Sequence, residues 1–168
     1  SIPRRSVMRD GFGNTYNEGM ALGGWAWAFT CVGSQVDEPA SGAWFSSSYA
    51  GGKTYLVGYG NGGGSYESAS SVGTTTEFGL KPSRAVFTSL FGSYFGDWDA
   101  GNDLLRAPLA GTATGDSLGL VCFWSARPHW QTCQMGMGET VGYSTRATQN
   151  NSAIGGNSFV PAGPNLGG

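Results

Sequence analysis

Charge is scarce in this chain. Only 12% of its 168 residues are Asp, Glu, Lys or Arg, and the net charge of -2 leaves no basic surface to follow a phosphate backbone. Nucleic acid is excluded as a partner on that ground. Histidine occurs once, at His129, and cysteine three times, at Cys31, Cys122 and Cys133, without the spacing of metal ligands. A zinc site is therefore not expected, no cofactor is implied, and at most one internal disulfide can form. The longest apolar run, Met20 to Gly33, falls short of the roughly 20 residues that a membrane-spanning helix needs. It is expected to be core, with no transmembrane segment. The opening SIPRRSVMRD has no initiator Met and lacks the apolar stretch of a secretory signal, so upstream sequence is expected to have been removed.

Glycine and aromatic residues are plentiful: 30 Gly, and 13% Phe, Trp and Tyr. That mixture suits a compact or assembled protein better than a disordered one, and it disfavours long exposed helices. The length fits one domain with a real core. Residues 1–16, with Arg4, Arg5 and Arg9, are expected to form an exposed basic arm, 17–149 an α/β body and 150–168 an irregular tail.

Lys53 to Ser71, KTYLVGYGNGGGSYESASS, is the most informative stretch. Thr54 to Tyr59 has no charge on either alternating set, which predicts a strand buried on both faces. Gly60 and Gly62 to Gly64 then remove side chains at its C-terminal end, where open α/β sheets place ligands. A plain glycine turn remains the alternative. Ala85 to Gly92 and Ser117 to Ser125 read as further strands buried on both faces. Between Val36 and Lys53, Asp37 to Gly52 reads as a long surface connection. The run Met20 to Gly33 is open between helix and strand, with Asn17-Glu18 able to start a helix. Ser71 or Thr76 can cap a short helix before Gly79, and Asn102 or Asp103 another that ends near Pro108. Thr132 to Gln149 has helical spacing in Met137, Val141, Thr145 and Thr148 despite its glycines. Three buried runs separated by helix-capable segments predict an α/β protein with a mostly parallel sheet sandwiched by helices.

Several constellations could carry chemistry. Ser65, His129 and Asp97 supply the residue types of a hydrolytic triad, but GGGSYES is not a Gly-x-Ser-x-Gly elbow. Asp97 and Asp99 flank Trp98, an arrangement able to hold a cation against the indole or simply a solvated turn. His129, in ARPHW, is open between a ligand-facing and a structural role. Asn150-Asn151-Ser152 fits a glycosylation sequon.

From Tyr55 to about Asn151 the order YLVGYGNGGGSYESA, AVFTSLFGSYFGDWDAGNDLLRAPLA, GLVCFWSARPHW and MGMGETVGYSTRATQNN resembles the gingipain-like cysteine peptidases of caspase-type fold. GSYFGDWD and ETVGYSTRATQNN are its more specific parts. The resemblance implies a parallel sheet between helices, incomplete here at both ends. It also implies a nucleophilic Cys after a strand, a His after an earlier strand, and backbone N–H donors for the substrate carbonyl. On it, Asn61 occupies the expected nucleophile position, and no His precedes His129. Gly60, Gly62, Gly63, Gly64 and Ser65 become oxyanion or peptide-binding candidates, and Trp98, Asp97 and Asp99 specificity-pocket candidates. The expectation is a secreted or cell-surface peptidase-like domain or fragment that is inactive alone and takes a peptide or protein ligand or a partner chain. A filament-forming or homo-oligomeric surface subunit is the alternative.

Overall fold

In parallel sheets both faces must be covered, because crossovers lay helices or loops on each side. The computed structural model, which describes residues 1–13, 22–49, 52–97, 99–112, 114–124 and 130–150, follows that rule. In chain order the elements are β1 (Ser6–Asp10), α1 (Leu22–Val32), β2 (Val36–Asp37), β3 (Tyr55–Asn61), β4 (Gly64–Ser65), β5 (Ser68–Ala69), β6 (Gly73–Thr74), α2 (Thr75–Leu80), β7 (Ala85–Phe91), β8 (Val121–Trp124) and α3 (Val141–Gln149). Five strands pair in the order β2-β1-β3-β7-β8, every pair parallel. The chain is therefore an α/β protein built on a parallel sheet. β4, β5 and β6 form a small antiparallel sheet inside what the sequence presents as a glycine loop.

The sheet divides the core. On one face Met8, Val57, Tyr59 and Phe123 pack against Trp27, Ala28 and Cys31 of α1. On the other, Val7, Tyr55 and Leu90 pack with Trp44, Phe45, Val72, Phe78 and Leu104, brought in by α2 and by irregular segments. Val7 and Met8 are consecutive on β1 and wholly buried to opposite sides, as strand alternation requires.

That placement corrects the expected basic arm. Ser6–Asp10 is an interior strand between β2 and β3, and Arg4 alone among the three early arginines is exposed, Arg5 and Arg9 being partly buried. Two buried apolar residues suffice for so short a strand, too few to register as a pattern among arginines. The surface connection over 37–52 is likewise corrected. It contains a π-helical turn at Trp44–Ser48, and Trp44, Phe45 and Tyr49 are buried.

β3 and β7 run as expected and are mostly buried. β8 is shorter than Ser117 to Ser125 and lies at the sheet's margin, so Phe123 is its sole buried residue and Leu120 just before it is exposed. α2 is capped by Thr74 in a reciprocal pair with Glu77, rather than by Ser71 or Thr76. The Asp103 carboxylate accepts from the Leu105 N–H at 2.8 Å, but the helical turn comes later, at Ala107–Leu109, with Pro108 inside it. Residues 132–149 split into a 3-10 helix, Cys133–Met137, and α3, separated by Gly138 at φ 97°. The proposed helix start at Asn17-Glu18, the ARPHW turn up to His129, and the tail from Asn151, which includes the rest of the sequon, lie outside the described residues.

Candidate functional site

Parallel pairing brings the C-terminal ends of β1, β3, β7 and β8 to one edge of the sheet, in the register Asp10 beside Asn61 and Asn61 beside Phe91. Loops leaving such an edge make the crevice in which α/β proteins bind ligands. The most constrained residue there is Asn61, which is wholly buried. Its Oδ1 accepts from the N–H groups of Gly11 at 2.7 Å and Phe12 at 3.2 Å, while Nδ2 donates to the Tyr59 hydroxyl at 3.2 Å. Its carbonyl accepts from the Gly11 N–H at 3.0 Å and from the Ser71 hydroxyl. This amide ties the turn after β1 to the end of β3. Both N–H groups also have a second acceptor, the Asn61 carbonyl for Gly11 and the Asp10 carboxylate at 3.1 Å for Phe12, so the amide reinforces a turn that is already hydrogen-bonded.

The glycines after Asn61 are explained by the closeness of two backbones. The Gly62 N–H donates to the Phe91 carbonyl at 3.1 Å. A Cβ on Gly64 would stand 2.3 Å from the Ser93 carbonyl oxygen, and one on Gly92 would stand 2.5 Å from the Gly62 carbonyl oxygen. Gly60 lies within the β3 ladder, and Gly64 pairs with Ala69. Of the glycine candidates, Gly63 is the exposed one, and a Cβ there would make only an ordinary contact, 3.6 Å from the Ser70 Oγ.

Ser65 is exposed on β4. Its Oγ lies 2.8 Å from the Ser68 Oγ and accepts from the Glu67 N–H at 3.3 Å, so among the described residues its hydrogen-bond partners are a hydroxyl and a backbone N–H. Asp97 and Asp99 are exposed, and the Asp97 N–H donates to the Tyr94 carbonyl at 3.0 Å. Trp98 and His129 lie outside the described residues. The structure thus gathers Asn61 to Ser65 at the ends of β3 and β7, and Asp97 follows on the loop after β7.

Sequence reasoning missed Tyr94. It is the single non-glycine residue with positive φ, 72°, among the described residues, and the Phe95 N–H donates back to the Ser93 carbonyl at 3.0 Å. This is a strained γ-turn, rare for a bulky residue. It sends Phe95 into the core and leaves Tyr94 59% exposed, its ring 5.7 Å from that of Tyr66, itself 46% exposed. Beneath lie Phe12 on Phe91 and Phe91 against Trp124, whose indole N–H donates to the Gly92 carbonyl at 2.8 Å. The flanking Gly92 and Gly96 are the only sequence hint of this turn.

A concavity of about 240 Å³ elsewhere on the chain is lined in part by Thr75, Asn102, Asp103 and Arg106. The Asn102 amide donates to the Thr75 hydroxyl at 3.0 Å, and the Arg106 guanidinium donates to the Ala100 carbonyl. Burial pushes the Asp103 carboxyl above its ordinary range, against the pull of the Leu105 N–H and Arg106. Burial also raises the thiols of Cys31 and Cys122. Neither is the lowered, exposed thiol of a nucleophile.

Among the described residues, no group of three or more His, Cys, Asp or Glu stands together to hold a metal ion, and no helix is long and apolar enough to cross a membrane. The fold places the chain among α/β proteins with a mostly parallel sheet. No family model, curated protein or solved structure matches it.

Proposed function

We propose that this chain is a gingipain-like domain or fragment of caspase-type architecture, secreted or displayed at the cell surface, which takes a peptide segment without hydrolysing it. The observation that carries the reading is Asn61. At the position where the resemblance implies a reacting atom, the side chain is a buried amide held by two backbone N–H groups and a tyrosine hydroxyl. The neighbouring Gly62 N–H is engaged by the Phe91 carbonyl and is not offered to a substrate oxygen. A peptide would lie along the exposed rim of Gly63, Ser65, Tyr66 and Tyr94, with Asp97 and Asp99 beyond β7.

The test is incubation of the purified chain with a mixed peptide library, read by mass spectrometry. No cleavage is expected, and Asn61→Cys is expected to remain inactive because its side chain is enclosed. Peptide cleavage by the native chain that a thiol-alkylating reagent abolishes would overturn the reading.

A second reading, an assembling surface subunit, is favoured by the exposed apolar side chains of Leu120 and Met137. Sedimentation at increasing concentration separates the two, since the peptide-binding reading expects a monomer and assembly expects a rising mass.

A further inference from the structure

Three thiols allow three pairings, and the sheet decides among them. Cys122 and Phe123 are consecutive on β8 and point to opposite faces: Cys122 packs on the Trp44 side, Phe123 beside Cys31 on the α1 side. Stacked layers are about 10 Å apart, so a bond between Cys122 and Cys31 would have to cross the sheet. Asp103 and Tyr49, the groups whose charge is felt at Cys122 or feels it, belong to that far side.

Cys31 and Cys133 lie instead on two elements that pack against each other. The 3-10 helix Cys133–Met137 lies against α1 so closely that a Cβ on Gly136 would stand 2.3 Å from the Thr30 carbonyl oxygen. Side chains three apart eclipse in a 3-10 helix, at roughly 2 Å rise per residue. Cys133 therefore shares Gly136's face, one turn away, and Thr30 is the neighbour of Cys31. Met135 packs in the cluster that contains Cys31, and the two thiols lie within electrostatic reach of each other. Cys133 is exposed and Cys31 buried, which gives one sulfur for a reagent to reach and a second to close the bond.

We propose that Cys31 and Cys133 form an oxidative cross-link that staples α1 to the 3-10 helix after β8, with Cys122 excluded. The oxidant is a low-molecular-weight disulfide. The Cys133 thiolate attacks one sulfur of oxidised glutathione and releases a glutathione thiolate, leaving a mixed disulfide. The Cys31 thiol then gives its proton to water and displaces the second glutathione, so two protein thiols are oxidised as one glutathione disulfide is reduced. Both thiols are free in the structure described.

The folded chain is incubated with oxidised glutathione, alkylated and mapped by non-reducing peptide mass spectrometry. The expected result is loss of two hydrogens in mass, a single linked pair carrying Cys31 and Cys133, and a Cys122 that alkylates only after unfolding. Cys122→Ala should form the same link, and Cys133→Ser, an exposed change, should form none. Three free thiols after treatment, glutathione retained on Cys133, or any link to Cys122 would overturn the proposal.

Discussion

The two faces of the sheet are filled by different means. On one, an eleven-residue helix lies over the sheet, and β3 presents Val57 and Tyr59 to it. On the other, β3 presents Gly58 and Gly60, and the space their missing side chains leave is taken by Trp44 and Val72 from irregular segments. Where the sheet offers bulk, a regular helix can rest on it. Where it offers bare backbone, large rings must come down from loops, and stability then depends on single side chains. Trp44 is the extreme case, an indole wholly buried from a five-residue turn.

The largest test of that contrast is Trp44→Ala. The indole is wholly buried, so the void it leaves should cost about 3–5 kcal/mol in urea unfolding. A loss under about 1 kcal/mol would mean that the loop face collapses freely and that the two faces do not differ as described.

Gly60→Ala sharpens the same point from the sheet side. The new Cβ would stand 2.4 Å from the Val72 Cγ2, a short branched side chain on a strand-end loop. Overpacking of this kind costs about 1–3 kcal/mol. Val72→Ala should make room, so the double variant should lose less than the sum of the two singles. Strict additivity would show that Gly60 is required by its backbone rather than by Trp44 and Val72.

The smallest effect concerns charge beneath the loop face. Asp103 is 3% exposed and its carboxyl is raised by burial. A raised carboxyl contributes stability that is fully present below its unfolded value, about 3.9, and lost as pH rises through its folded value. Near neutrality the charged form is therefore a cost. Asp103→Asn keeps the Oδ1 that accepts from the Leu105 N–H and removes the charge. It should raise the thermal midpoint near neutral pH, with the gain disappearing below about pH 4. A gain of equal size at both pH values would assign the effect to something other than ionisation.

β3 and β7 were legible as strands because seven-residue uncharged runs have few other uses in a chain this poor in charge. β1 and β8 were misread in opposite directions, an interior strand taken for an arm and a marginal one for a fully buried strand. Burial of a strand depends on its neighbours, and a sequence does not state strand order. The glycine run was legible as a close-packed strand end. Its use was not: the contacts that require Gly64 and Gly92 are with each other's loops, thirty residues apart in sequence. The roles of Asn61 and Tyr94 were hidden for the same reason, since one depends on the backbone of Gly11 and Phe12 and the other on a strained turn that its residue type disfavours.

By itself, the sequence determined what is local or summed over the chain. Uncharged runs made strands, and thirty glycines required backbones to approach closely somewhere. Only the tertiary structure decided which strands lie inside, that Asn61 is enclosed, and which sulfurs share a face of the sheet. Each of those depends on groups distant in sequence, brought together when apolar side chains on both faces of one sheet leave water.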